Sequence, residues 1–343
     1  MKIFKSLAIL AAAALSFAAC TKSSEQEGPS LDKSEFNTVL AEAQALSAAA
    51  TTDEYPEAAI TTFNTAIANA NTAVQAASSQ TQVDNIVANL KAAIATFKAA
   101  AFGSIPEEAL TFECKFDGEA ETTTGVNAWK LEACAGPSQV FSSTPKPTYV
   151  DGKVGKAVKL ENGANFNITG FNPSSIAGNA VSIAVWVNPS RVYANNYIIS
   201  FNRWESWKLQ LQDGSKPFFT IAGDNGIFDM DNETDNSCPA NEWHHLVVSA
   251  DLTAGTVSFY VDGTLTKEWT GKATGNIKTF DANNYFTIGQ QYSWETALAD
   301  PDFTAADANE NNWPCFWGLL DELKVYNIAL TAGQVSKLYN SEK

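Results

Sequence analysis

The hydrophobic positions of this chain change their spacing once. Between residues 31 and 101 they recur every three or four: Phe36, Val39, Leu40, Ala43 and Leu46, then Ile60, Phe63, Ile67, Ala70, Val74 and Ala77, then Val83, Val87, Leu90, Ile94 and Phe97. That spacing puts each set on one face of a helix. Asp32 with Glu35 reads as a capping box, Pro56 opens the second helix, and Thr81 with Asp84 caps the third. Short connections between three such helices predict an antiparallel bundle over 31–101.

After a short linker, 102–108, the period falls to two. Val257, Phe259 and Val261 alternate with Ser258, Tyr260 and Asp262. Asp262-Gly263 supplies a tight turn, and Thr264 to Trp269 returns as the partner strand. Further strands are expected near 109–116, 156–161, 181–188, 197–201, 206–212, 217–222, 243–250, 285–290 and 318–326. Many short strands without intervening helices predict a β-sandwich over 109–343. Three connections are long, 117–154, 223–242 and 291–315. Long loops in compact domains commonly carry function.

Composition adds limits. A chain of 343 residues suits two domains. A net charge of −16 argues against nucleic acid, whose phosphates need clustered Lys and Arg. At the N-terminus, Lys2 and Lys5 precede a short apolar run, Leu7 to Ala19, that ends at Ser16-Phe-Ala-Ala-Cys20. The run is too short for a permanent span. It resembles a bacterial lipoprotein signal over 1–20, which implies acylation of Cys20 and a membrane attachment through that lipid. Phe17 departs from that pattern. Residues 21–30 read as a flexible tether. Four cysteines remain: Cys114, Cys134, Cys238 and Cys315. Export favours disulfides among them. Three pairings are open, with Cys114–Cys134 and Cys238–Cys315 preferred. Zinc is disfavoured, since no C-x-x-C exists and the two histidines, His244 and His245, point to opposite faces of one strand.

Two resemblances follow. Gly152 to Leu160, Val181 to Pro189, Trp243-His-His with Phe259-Tyr-Val-Asp-Gly263, and Gly318 to Asn327 occur in the order of a laminin-G-like concanavalin A jelly roll. The likeness covers roughly residues 109 to 341 and implies that Trp186 and Trp243 pack in the core. It also implies a structural calcium on Asp321, with Asp117 as partner. The segment 31–101 resembles a FIVAR-type module of bacterial surface proteins, through Tyr55, the Ala-rich repeats and Gln82-Val-Asp84. That likeness implies a spacer.

Catalysis and binding make different demands on the side chains. A glycosidase needs two carboxylates about 5 Å apart for retention or about 6.5–9.5 Å for inversion. No expected strand carries the Glu-x-Asp-x-x-Glu pattern of laminarinase-type relatives. Asp229, Asp231, Glu233 and Asp235 alternate as cation ligands do, but lack the glycine and terminal Glu of an EF-hand. The aromatics outside the core pattern, Trp204 beside Arg203, and Tyr292, Trp294 and Trp313, are the candidate glycan platform. The sequence therefore reads as an outer-membrane lipoprotein facing the periplasm or the cell surface, with a helical spacer and a non-catalytic lectin-like sandwich for a polysaccharide or glycoprotein glycan. A protein-binding adhesin is the alternative and an unrecognised glycoside hydrolase the third.

Overall fold

A computed structural model describes residues 30–202, 205–279 and 285–343. Cys20, the signal and nearly all of the tether lie outside the described residues, as do Arg203 and Trp204. Three helices come first: α1 (Ser34–Ala49), α2 (Glu57–Ala76) and α3 (Gln80–Ala99). Their buried residues are those of the apolar stripes, with Phe63 and Phe97 stacked at 4.3 Å and Tyr55 on Phe97 at 4.2 Å. Two caps differ from expectation. Asp32 accepts from the Ser34 amide at 2.9 Å ahead of the helix, and Ser79, not Thr81, caps α3 by accepting from Gln82 N. A hydroxyl on the residue just before the helix reaches its free amides, whereas one inside the first turn does not.

Fifteen strands follow among the described residues. The first five are β1 (Leu110–Cys114), β2 (Lys130–Cys134), β3 (Thr148–Asp151), β4 (Lys156–Leu160) and β5 (Asn165–Thr169). The next five are β6 (Ala180–Pro189), β7 (Asn196–Phe201), β8 (Trp207–Gln212), β9 (Lys216–Gly223) and β10 (Gly226–Asp231). The last are β11 (His244–Asp251), β12 (Thr256–Val261), β13 (Thr264–Thr270), β14 (Phe286–Ile288) and β15 (Gly318–Tyr326). A short helix α4 (Trp294–Ala299) precedes β15, and α5 (Ala332–Glu342) ends the chain. One antiparallel sheet runs β13-β12-β11-β6-β15-β4-β3 with β1 on β15; the other runs β10-β9-β8-β7-β14-β5-β2. The fold is an antiparallel jelly-roll sandwich.

The second sheet shows why alternation builds it. One register row crosses all seven strands as Met230, Phe219, Leu209, Ile199, Ile288, Phe166 and Ala133. The adjacent row is Asp229, Thr220, Lys208, Ser200, Thr287, Asn167 and Glu132. Successive side chains leave opposite faces of a strand, so the first row fills the core and the second faces away from it.

Three departures from expectation bear on the site. The long connection 117–154 contains the edge strands β2 and β3, which the alternation pattern does not predict. The connection 223–242 holds β10, and 291–315 holds α4. Trp186 is buried on the outward face of its sheet, not inside the sandwich, and Trp243 is only half-buried. Helix α5 covers Trp186: Tyr339 stacks on it at 5.7 Å, and the indole N–H donates to Glu342 Oε2 at 3.0 Å. Lys324 donates to both Glu342 and Glu322 at 2.5 Å beneath the same helix. Helix α5 also meets the bundle. Lys337 pairs with Glu54 at 2.8 Å, Gln334 donates to Ser104 O at 2.8 Å, and Phe102 N donates to Glu54 O at 2.9 Å.

Candidate functional site

The edge strands β2 and β3 end the two sheets on one side of the sandwich, and the chain from Glu113 to Thr124 lies between them. Thr124 bridges to Glu113 of β1, and Thr122 bridges to Lys130 of β2. This segment therefore links the sheets without filling the gap. Two adjoining cavities result, of about 730 Å³ and about 350 Å³. They share Glu119, Ala120, Thr122, Leu131 and Tyr149, so together they make one cleft.

Its floor is apolar. Leu131, Cys114 and Phe116 belong to the main core, and Ala133 and Tyr149 pack against it. Tyr149 is half-buried and lines both cavities, and no other aromatic ring stacks on it among the described residues. Burial, and secondarily the charge of Glu119, pushes its phenol above the usual range, so the hydroxyl keeps its proton. The rim is polar: Glu119, Glu121, Thr122, Lys130 and Lys146 are exposed. Lys130 pairs with Glu132, while Glu119, Glu121 and Lys146 form no ion pair among the described residues.

Carboxylates fix the wall that carries Tyr149. The turn after β3 is closed by Gly152 N donating to Gly155 O at 3.1 Å. Asp321 Oδ2 accepts from Lys153 N and Val154 N, both at 2.9 Å, and Asp117 Oδ1 accepts from Lys156 N at 3.0 Å. A Cβ at Gly155 would lie 2.2 Å from Asp117 Oδ1, and its φ is +61°, so only glycine serves there. The two acids named as calcium ligands thus hold opposite ends of one turn. Asp117 is exposed; Asp321 is buried, and its Oδ1 has no partner. No group of three or more Asp, Glu, His or Cys converges as a metal site among the described residues. The alternating acids 229–235 do not converge either: Asp231 and Asp235 pair with Lys216, and Glu233 pairs with Lys267.

The expected aromatic platform is corrected in part. Trp313 is 1 % exposed and forms a small core with Phe141, Ala297 and Cys315. Trp294 at 5.5 Å, Tyr292 at 5.8 Å and Phe303 at 6.3 Å pack their rings on it. Tyr292 and Trp294 are half-buried. Because Phe141 and Val140 join this cluster, it supports the segment leading to Lys146 and Tyr149. It buttresses the cleft and leaves Trp313 no face for a ligand. The sequence does not single out Tyr149: the connection 117–154 also holds Trp129 and Phe141, and only the fold shows that those two are buried while Tyr149 is not.

The disulfides are also corrected. All four cysteines described are free thiols. Cys114 faces the main core from β1, while Cys134 ends β2 on the other sheet, where its thiol meets Glu132 O at 3.4 Å and Asn167 Nδ2 at 3.5 Å. Cys238 lies in the main core and Cys315 in the Trp313 cluster. Members of each preferred pair sit in different packing units, so sequence proximity to a strand does not bring the sulfurs together. Along the outward row of the second sheet, the only carboxylates are Asp229 and Glu132, at its two ends.

Two antiparallel sheets packed as a jelly roll define the fold class that lectins and glucanases share. The chain belongs to the concanavalin A-like lectin/glucanases superfamily: the Laminin_G_3 family model matches residues 160–336. Cleft residues 113–149 precede that match. Similar solved structures include domain 4 of AbnA, an extracellular arabinanase from Geobacillus stearothermophilus, in complex with arabinotriose. It is 23 % identical, with a TM-score of 0.47, over 68 % of this chain and 100 % of that one. The binding domain of Paraclostridial Mosquitocidal Protein 1 is 17 % identical, with a TM-score of 0.49, over 68 % of this chain and 52 % of its own. The receptor-binding domain of botulinum neurotoxin type G is 15 % identical, with a TM-score of 0.45, over 68 % and 51 %. The chain thus spans about half the length of the toxin domains it matches. These likenesses bear on the fold alone. No curated protein sequence matches the chain.

Proposed function

We propose that this protein is a non-catalytic carbohydrate-binding lipoprotein, anchored through an acylated Cys20, that captures a polysaccharide or glycoprotein glycan in the cleft between β2 and β3. The carrying observation is Tyr149, whose half-buried ring lines both cavities among exposed Glu119, Glu121, Thr122, Lys130 and Lys146. A sugar lays its C–H face on such a ring and turns its hydroxyls to the rim. The superfamily contains both lectins and glucanases by name. The lectin side is favoured because the long outward row of the second sheet has no carboxylate on its five central strands. A protein ligand added along the open edge of β3 is disfavoured, since β3 is four residues long and follows Lys146-Pro147. Short strands, lysine and proline guard an edge against strand addition.

A structural calcium forms part of this proposal. The residue present that fits it is Asp321, whose buried Oδ1 lacks any protein partner. Its first carboxylate oxygen already serves two amides, and a hard cation would take the second. Backbone carbonyls and water would supply the remaining ligands.

The test is a glycan array with the protein carrying a non-acylated N-terminus, followed by titration of the best hit. Tyr149→Ala should weaken it about tenfold, since a stacked ring contributes up to about 1.5 kcal/mol and 1.4 kcal/mol is tenfold. Unchanged affinity in that variant would remove the cleft from the reading. Turnover of the bound polysaccharide would overturn its non-catalytic part.

A further inference from the structure

A second cavity, of about 470 Å³, lies at the end of the other face of the first sheet. The register places it. Thr148, Lys159, Leu319 and Asn188 form one row across β3, β4, β15 and β6, and the next row, Tyr149, Val158, Leu320 and Val187, faces the core. The cavity opens on the first row and the cleft on the second, so the β3–β4 ribbon separates them. They share no lining residue.

The cavity has a largely apolar lining on a hydrogen-bonded backbone frame. Ser190 N donates to Trp317 O at 2.9 Å, Asn241 N donates to Pro189 O at 2.7 Å, and Trp317 N donates to Asn196 Oδ1 at 2.7 Å. Gly318 has φ +140°, and a Cβ there would lie 2.2 Å from Asn188 O, so the backbone strands meet as closely as they can. On this frame stand the side chains of Asn188, Ser190 and Asn241, none hydrogen-bonded to another described residue. Lys159 and Glu161 pair at 2.8 Å on the rim. Trp317 is half-buried and held by the Arg191 guanidinium at 3.8 Å on its ring and by the edge of Phe141 at 6.0 Å. Its indole N–H is buried on the side of the Cys315 thiol, so the ring face is what the cavity presents.

Three unengaged amide and hydroxyl groups beside a fixed indole match a polyhydroxylated ligand. They offer both donors and acceptors at short reach, without a net charge to select an ion. We propose that this cavity is a second saccharide site, which makes the protein bivalent for a glycan chain. The inference rests on the carbohydrate-binding reading above and extends it. Two sites on opposite faces of one ribbon favour a polymer over a terminal sugar, because the second contact becomes intramolecular.

The experiment is titration calorimetry of the non-acylated protein with xylohexaose, mannohexaose, cellohexaose and arabinotriose. Ser190→Ala with Asn241→Gly empties the second cavity; both residues are exposed, and glycine tolerates the left-handed backbone of Asn241, whose φ is 65°. Two sites per chain are expected for the ligand that binds: the double variant keeps only the cleft, Tyr149→Ala keeps the second cavity at its original affinity with the cleft weakened about tenfold, and the combined changes leave only the weakened cleft. A single site weakened in Tyr149→Ala and untouched by the double variant overturns this inference and leaves the first reading standing. A single site lost only in the double variant does the reverse. Binding of none of the four overturns both.

Discussion

The aromatic loop 291–316 and the cleft beside β3 both arise from connections that are long for a sandwich, yet they are built by different forces. In the loop, Trp294, Tyr292 and Phe303 each set a ring against Trp313, which is 1 % exposed and shares its cluster with Phe141. In the cleft Phe116 is buried in the floor and Tyr149 is the one partly exposed ring, on a wall whose turn is fastened by Asp321 and Asp117. Aromatics gathered in one loop remove each other from water before any ligand arrives. An isolated aromatic whose wall is held by polar contacts keeps a face free. Density of aromatics along the sequence therefore marks packing here, and it is the partly exposed ring that the proposed glycan site uses.

The largest expected effect breaks the packed side of that comparison. Trp313→Ala should lower the unfolding free energy by about 3–5 kcal/mol, as for other buried aromatic deletions. Urea unfolding monitored by circular dichroism checks it. If the variant unfolds like the wild type while glycan binding collapses, the loop is the ligand site and the comparison is reversed. Phe141→Ala should act in the same direction and also weaken binding in the cleft, because its segment leads to Lys146 and Tyr149.

A smaller effect sharpens the open side. Tyr149→Phe keeps the stacking face and removes only the hydroxyl. A neutral hydrogen bond contributes about 0.5–1.5 kcal/mol, so affinity should fall by about two- to tenfold, with stability almost unchanged. An affinity loss as large as that of the alanine variant would mean that the hydroxyl, not the ring, carries recognition.

Much of the fold was legible because it rests on periodicity. The stripes of the bundle and the alternation of β6, β8, β9, β11, β12 and β15 appear directly in the buried residues. The strands missed were β2, β3, β5 and β10. Each is four to six residues long and has few buried apolar positions, so local pattern is weak and pairing with a neighbour defines it. The cleft was illegible for the same reason, since it exists only between two such strands. Trp313 was misassigned because sequence shows that a residue is aromatic but not that Phe141, far away in the chain, covers it. The cysteines follow the same rule: spacing does not say which core a thiol enters.

The finest prediction uses pH to separate the two walls. Burial, with a smaller contribution from Glu322, raises the Asp321 carboxyl from 3.8 to about 6, against the opposing hydrogen bonds from Val154 and Lys153. The folded state thus binds this proton more tightly than the unfolded chain does. Asp321 therefore adds stability that is fully present below its unfolded pKa and is lost as pH rises through about 6. Other carboxylates titrate nearby, so the quantity to measure is the difference in melting temperature between the wild type and Asp321→Asn, from pH 4 to 8 in the presence of a chelator. That difference should shift against the wild type as pH climbs through about 6, because only the wild type takes on a buried negative charge there. Trp313→Ala should show no such step, since no charged group is a member of its cluster. Excess calcium should erase the step by neutralising the ionised Asp321, raising the wild-type melting temperature most above pH 6. A step that persists unchanged in calcium would remove the cation from the proposal and leave Asp321 as a fastener of the β3 turn alone. The absence of any step in the chelator would mean that the carboxylate is hydrated at that turn, and that the wall of the cleft is looser than the packed wall beside it.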